Sequence, residues 1–207
     1  MKPQFIVFEG LDGSGTSTQA SMLEKAYLTS GYKVMLTSEP SSGPVGNMIR
    51  QAFKGRVKFQ ENAQHFDHQM AYLFSADRFD HLYNDTDGVT QMMSRGFSVI
   101  STRYYFSSFA YHCTQDSDWE LVQRLNKDFP DPDLVVYLRN PVDESVRRLG
   151  NRPILDSYEK ADKLKIVSEN YERVMSEYKG KKLILDATLD PNYIHKIVMQ
   201  QLKLLYE

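Results

Sequence analysis

Residues 4–19 read QFIVFEGLDGSGTSTQ, a short apolar run, then Gly10, Gly13 and Gly15 interleaved with Asp12 and Ser14, then the hydroxyls of Thr16, Ser17 and Thr18. Glycines at this spacing let a backbone turn tightly and aim its amide hydrogens at an anion. A helix opening directly after the turn adds the positive end of its dipole. Gly10, Leu11, Asp12, Gly13, Ser14, Gly15, Thr16, Ser17 and Thr18 are therefore the candidate contacts of a nucleotide's phosphates. Against the pattern Gly-x-x-x-x-Gly-Lys-Ser/Thr, Gly10, Gly15 and Ser17 fit, and Thr16 stands where the lysine belongs. Ser17 would give its hydroxyl to Mg²⁺. Threonine can hydrogen-bond a phosphate but cannot neutralise it, so phosphoryl transfer needs a cation from elsewhere. The alternative is a glycine-rich turn that holds no ligand.

The elements around that loop follow from periodicity. Apolar runs at Phe5–Phe8, Val34–Thr37, Phe97–Ile100, Leu134–Leu138 and Leu183–Leu185 read as buried strands. Helical spacing separates them, from Ser17 onward and at Val45–Lys54, Ala63–Tyr83, Trp119–Lys127, Pro141–Arg148, Tyr158–Tyr178 and Pro191–Leu204. Strands alternating with helices predict an α/β protein with a mostly parallel sheet. Pro141 and Pro191 sit where proline opens a helix at little cost. No repeat, low-complexity tract or linker divides the chain, so one domain over 1–207 is expected. Polar residues 150–157, between two helices, form a candidate lid spanning 148–158.

Bulk properties narrow the function class. A chain of 207 residues with 41% apolar content can bury a sizeable core. A formal net charge of −2 gives no global attraction to nucleic acid or to an anionic membrane. A single cysteine, Cys113, excludes an internal disulfide framework and a multi-cysteine zinc site. The five histidines show no metal-ligand spacing. Glu9 and Asp12 come too early for a secretory signal, and no apolar run approaches the ~18 residues of a membrane span. A cytoplasmic protein is expected.

Four further segments accompany the loop in a fixed order: SEPSSGPVGNMIR, with Glu39 and Arg50; LFSADRFDH, with Phe74 and Arg78; TRYYFSSFAYH, with Arg103, Ser107, Ser108, Tyr111 and His112; and DSYE at 156–159. With FEGLDGSGTSTQ, the set resembles the thymidylate kinases of the nucleoside monophosphate kinase superfamily, from about residue 4 to Tyr178. The resemblance implies a three-layer α/β/α sandwich around a five-stranded parallel sheet, with ATP and a deoxypyrimidine monophosphate, dTMP first, as substrates. It implies that Phe74 stacks on the base, Arg78 bonds a base carbonyl, Ser108 orients the base, Tyr111 crowds C2′ of the sugar, and His112 stands where a glutamine is frequent. Phe74 and Tyr111 could equally be core aromatics. Arg50 and Arg103 match the pair gripping the acceptor phosphate, and Asp12 and Glu39 match acids near phosphate, sugar and metal. The helices at 45–54 and 63–83 would form a homodimer interface.

Departures from the family pattern gather on the donor side. Besides Thr16, Thr102 replaces an aspartate before Arg103, and Ser157 replaces a lid arginine. Arg147, Arg148 and Arg152 flank the lid and could restore the charge, with Asp12, Arg103, Arg148 and Arg152 as the catalytic set and Arg147 against the adenine. A solvated basic run is the plainer account of these arginines. The expected reaction is ATP + dTMP → ADP + dTDP. The rival expectations are a catalytically weak regulatory homologue and a kinase for another monophosphate.

Overall fold

The computed structural model describes residues 2–57, 62–150 and 161–206. Five strands, β1 (Phe5–Gly10), β2 (Val34–Ser38), β3 (Ser98–Thr102), β4 (Leu134–Arg139) and β5 (Lys182–Asp186), form one parallel sheet in the order β2-β3-β1-β4-β5. β1 is buried along its whole length, and β4 is buried up to Arg139. Continuous burial explains why these strands read as apolar runs rather than as an alternation.

Side chains nevertheless alternate between two cores. Phe5, Val7, Val99, Val135 and Tyr137 point into one, packed by α2 (Pro44–Phe53), α3 (Ala63–Tyr83), α5 (Tyr105–His112) and α8 (Ala161–Glu177). Ile6, Phe8, Ile100, Val136 and Leu138 point into the other, against α1 (Thr16–Thr29) and α9 (Pro191–Tyr206). The result is the expected α/β/α sandwich. β1 lies between β3 and β4, so the strand order reverses beside its carboxyl end. Open parallel sheets bind ligands in the crevice at that point. The glycine-rich loop leaves β1 there, and Arg103 follows β3 there.

Several boundaries differ from expectation for identifiable reasons. β3 continues through the polar residues Ser101 and Thr102, because Thr102 pairs with Phe8 on one side and Ser38 on the other. α6 (Asp116–Asn126) starts three residues before Trp119, since Gln115 and Asp118 close a capping box there. Pro141 caps α7 (Val142–Leu149) rather than opening it. Neither α4 (Val89–Ser94) nor α5 was anticipated. Nearly every residue of α5 is buried, so it carries no polar face to reveal a helical period. The candidate lid lies largely outside the described residues, as do Arg152, Ser157 and the DSYE segment. No helix among the described residues is long and apolar enough to cross a membrane.

Candidate active site

The loop after β1 is shaped as its glycines suggest. Gly13 and Gly15 adopt φ of 82° and 96°, the left-handed region that glycine enters without strain. The Ser14 amide donates to the Leu11 carbonyl at 3.0 Å. Gly15 caps α1 with no side-chain cap, and the first turn carries no acidic residue. The helix therefore keeps its unpaired amides and its dipole for an external anion. A cavity of about 300 Å³ opens at this end, floored by Gly13, Gly15, Thr16, Ser17 and Thr18 and walled by Asp12, Glu39, Thr102 and Arg103. Gly10, Leu11 and Ser14 support the loop from beneath instead. Leu11 belongs to the core, and Ser14 is buried. At Gly10 a Cβ would meet the Ser14 hydroxyl and the Leu138 carbonyl.

A second cavity, of about 220 Å³, adjoins it. Phe74, Phe53, Pro40 and His112 give it apolar walls, with Phe74 and His112 ring centroids 5.2 Å apart. Burial, with Lys163 and Arg78 nearby, pulls the His112 pKa down to about 3, so its imidazole is neutral at neutral pH. Arg50, Ser107, Ser108 and Tyr111 supply polar groups. Arg50 is held by the carbonyls of Pro40, at 2.6 Å, and of Ser41. An aromatic-walled slot beside a guanidinium fits a planar base attached to a phosphate. Tyr111 and Phe74 turn out to be both buried and cavity-lining, so the two readings of each coexist.

Asp12 and Arg103 line both cavities. Arg103 Nη2 donates to Asp12 Oδ1 at 2.6 Å and to the Tyr111 hydroxyl at 3.1 Å, and that hydroxyl donates to Asp12 Oδ2 at 2.8 Å. Nη1 donates to the hydroxyls of Ser107, at 3.1 Å, and Tyr171, at 3.2 Å. Both hydroxyls lie 2.8 Å from Glu9 Oε2, and the Tyr104 amide donates to Glu9 Oε1 at 2.7 Å. Arg103 holds φ at 72°, a costly region for a non-glycine residue. Burial opposes its charge, but Asp12 and the surrounding hydroxyls keep its pKa well above the ordinary value.

Three of the expected site residues are held by protein partners of their own. Arg78 does not line the base cavity. It is fully buried, with Nε and Nη2 on Glu39 Oε2 at 2.9 and 2.6 Å, Nη1 on Asn126, and Nη2 also 3.2 Å from Ser108 Oγ. An enclosed arginine requires such partners, and Glu39 is committed to it and to His81. Arg147 is 70% exposed and forks onto Glu144 rather than facing a cavity. Arg148 is no free lid arm, since it bonds Glu144, the Gly13 carbonyl and the Ala187 carbonyl.

A family model described as thymidylate kinase matches residues 8–198. The chain belongs to the thymidylate kinase family. It is 39% identical over 170 residues to a probable thymidylate kinase of Thermococcus gammatolerans, covering 81% of this chain and 80% of that protein. It is 33% identical over 177 residues to a thymidylate kinase of Desulfotalea psychrophila, covering 84% and 83%. The match spans both cavities of this thymidylate kinase family member, from the end of β1 into α9.

Sequence reasoning missed the layer behind Arg103. Glu9 had a visible signal, a carboxylate inside an otherwise apolar strand. Tyr171 and Phe53 had none, because buried and cavity-lining aromatics look alike in sequence. Burial pushes the Glu9 pKa up from 4.5 to about 7, against the pull of Arg103 and three hydrogen-bond donors. A carboxyl raised on folding contributes stability below its unfolded pKa and loses it as pH rises through the folded one. Between pH 4.5 and 7 the loss amounts to about 3 kcal/mol. Urea unfolding from pH 5 to 8 should show the native protein losing stability relative to Glu9→Gln by that order. Parallel profiles would contradict the assignment.

Proposed function

We propose that this chain transfers the γ-phosphoryl group of ATP to dTMP. The observation that carries the reading is the shared wall. Asp12 and Arg103 face the phosphate-loop cavity on one side and the aromatic slot on the other, so a donor and an acceptor phosphate would meet across them. The amides of the loop and the first turn of α1 hold the donor phosphates. The arginines Arg50 and Arg103 orient the acceptor phosphate, whose oxygen is already nucleophilic at neutral pH, so placement does most of the work. Phe74 and Phe53 wall the base region, and Tyr111 stands by the sugar, where its bulk disfavours a 2′-hydroxyl.

Oxygen donors suit Mg²⁺ here. Ser17 and Asp12 line the donor cavity, and among the described residues no group of three or more metal-ligating side chains forms a dedicated cage. That fits an ion held chiefly by substrate phosphates and water, with Ser17 as its protein ligand. When bound, the ion would offset the charge that builds on the β- and γ-phosphates. Arg103 is the single Lys or Arg among the described residues lining the donor cavity. Thr16 thus leaves the site with little fixed positive charge, and removal of Arg103 should be severe. In a coupled ADP-release assay with dTMP, ATP and Mg²⁺, Arg103→Ala should lower kcat/KM at least about 100-fold, the scale of one lost stabilising donor. Tight dTMP binding with no turnover across donors and metals would favour a regulatory nucleotide-binding role and overturn the kinase reading.

We also propose a homodimer through α3. Tyr72, Phe79 and Tyr83 are 56%, 61% and 39% exposed and form a groove with Leu125 and Phe129. Neighbouring apolar side chains of this size favour a partner surface. Their placement on one of the two helices expected at a twofold contact makes a second copy the occupant. Phe79→Asp should give a folded monomer by light scattering, against a native dimer. Identical masses would remove the proposal.

A further inference from the structure

The phosphate loop of this chain lacks the lysine that would ordinarily lie along it, yet an arginine grips it from behind. Arg148, in the last turn of α7, donates from Nη1 to the Gly13 carbonyl at 3.0 Å. Its Nη2 donates to the Ala187 carbonyl at 3.2 Å, just past β5, and its Nε donates to Glu144 Oε1 at 2.6 Å, one turn back on α7. One guanidinium therefore ties the loop to α7 and to the end of β5. Contact is close as well as polar. A Cβ built on Gly13 would lie 3.3 Å from the Ser145 carbonyl and 3.4 Å from Arg148 Cβ. Ser145 is itself fully buried, and its hydroxyl accepts from Asn140 at 2.7 Å.

A loop that binds phosphate through its amides must keep its carbonyls turned away from the anion. Each carbonyl facing away needs a partner, and a guanidinium is a strong one because the bond is charge-assisted. Gly13 is a point of freedom in the loop, since glycine can leave its left-handed conformation at little cost. We infer that Arg148 is a positioning residue of the donor site, fixing the Gly13 carbonyl outward so that the loop amides stay aimed at the donor phosphates. This deepens the kinase reading and rests on it. It also gives Arg148 a different part from a lid cation closing over the transferring group, since all three of its donor nitrogens are engaged by protein acceptors.

The test compares Arg148→Gln and Arg148→Lys with the native chain, in three measurements. The first is equilibrium binding of a fluorescent N-methylanthraniloyl ATP with Mg²⁺, which needs no turnover. The second is dTMP binding by calorimetry. The third is amide hydrogen exchange over residues 12–16. Arg148→Gln should weaken binding of the ATP analogue about tenfold, leave dTMP binding within twofold, and speed exchange across the loop. Arg148→Lys, which keeps a charge and a donor, should recover at least a third of the lost affinity. In steady state the defect should fall on the KM for ATP more than on kcat, the reverse of what loss of a transition-state cation gives. Unchanged binding and exchange in Arg148→Gln overturn the inference, as does equal weakening of both nucleotides. A lysine variant no better than the glutamine one overturns it too. If Arg148→Gln fails to fold, Glu144→Gln, which removes one anchor of the same guanidinium, should weaken the ATP analogue about threefold with dTMP unaffected, and no change there overturns the inference. A native chain that binds both nucleotides without turnover would sink the kinase reading while the binding and exchange results still decide the role of Arg148.

Discussion

The ion pair between Arg103 and Asp12, 2.6 Å long, joins two turns separated in the chain by α1, β2, three further helices and β3. Asp12 comes from the turn after β1, and Arg103 from the turn after β3. The two strands are hydrogen-bonded neighbours, with Phe8 paired to Thr102, so their exits lie side by side. Parallel pairing in that register is what allows one carboxylate and one guanidinium to form a partition between two ligand cavities. Slipping the register by one residue would turn one strand's side chains to the wrong core, because alternate side chains serve opposite cores.

Holding Arg103 there is expensive. Its backbone occupies a left-handed conformation that a side chain disfavours, and its guanidinium is largely enclosed, with 18% of the side chain exposed. The compensation is local. The Arg103 amide donates to the Phe8 carbonyl at 2.9 Å, and the Ser101 hydroxyl donates to the Arg103 carbonyl at 2.8 Å. Four side-chain oxygens receive its terminal nitrogens. Behind them sits Glu9, a buried carboxyl whose own desolvation raises its pKa to about 7. Strain and buried charge gathered around one residue suit the phosphate grip proposed for it. In that proposal the donor groups would be aimed before substrate arrives, with no reorganisation required at the moment of transfer.

Much of this was legible in sequence, and the failures have physical causes. The strand–turn–helix context of Gly10–Thr18 gave the loop, and apolar runs gave the strands to within a residue or two. Family resemblance placed Arg50, Phe74, Ser108, Tyr111 and His112, and the structure brings all five to one cavity. The partners of Arg78 were not legible, because a sequence cannot show that Glu39 and Asn126, distant in the chain, converge on it in the core. The contacts of Arg148 were hidden for a similar reason, since a basic pair at a helix end looks solvated until the fold brings Gly13 and Ala187 against it. The helix α5, which carries Ser107 to His112, was hidden by its burial on all sides.

In the proposed reaction, the two cavities on either side of Asp12 and Arg103 hold donor and acceptor together. Equilibrium binding of a bisubstrate compound, adenosine and thymidine joined through their 5′ oxygens by five phosphates, measures this. Filling both cavities with one molecule should give an affinity at least about 100-fold above that of ATP or dTMP alone, because the second contact becomes intramolecular. The gain should collapse in Arg103→Ala. A compound that binds no more tightly than dTMP, while ATP and dTMP each bind separately, would contradict the shared-wall account.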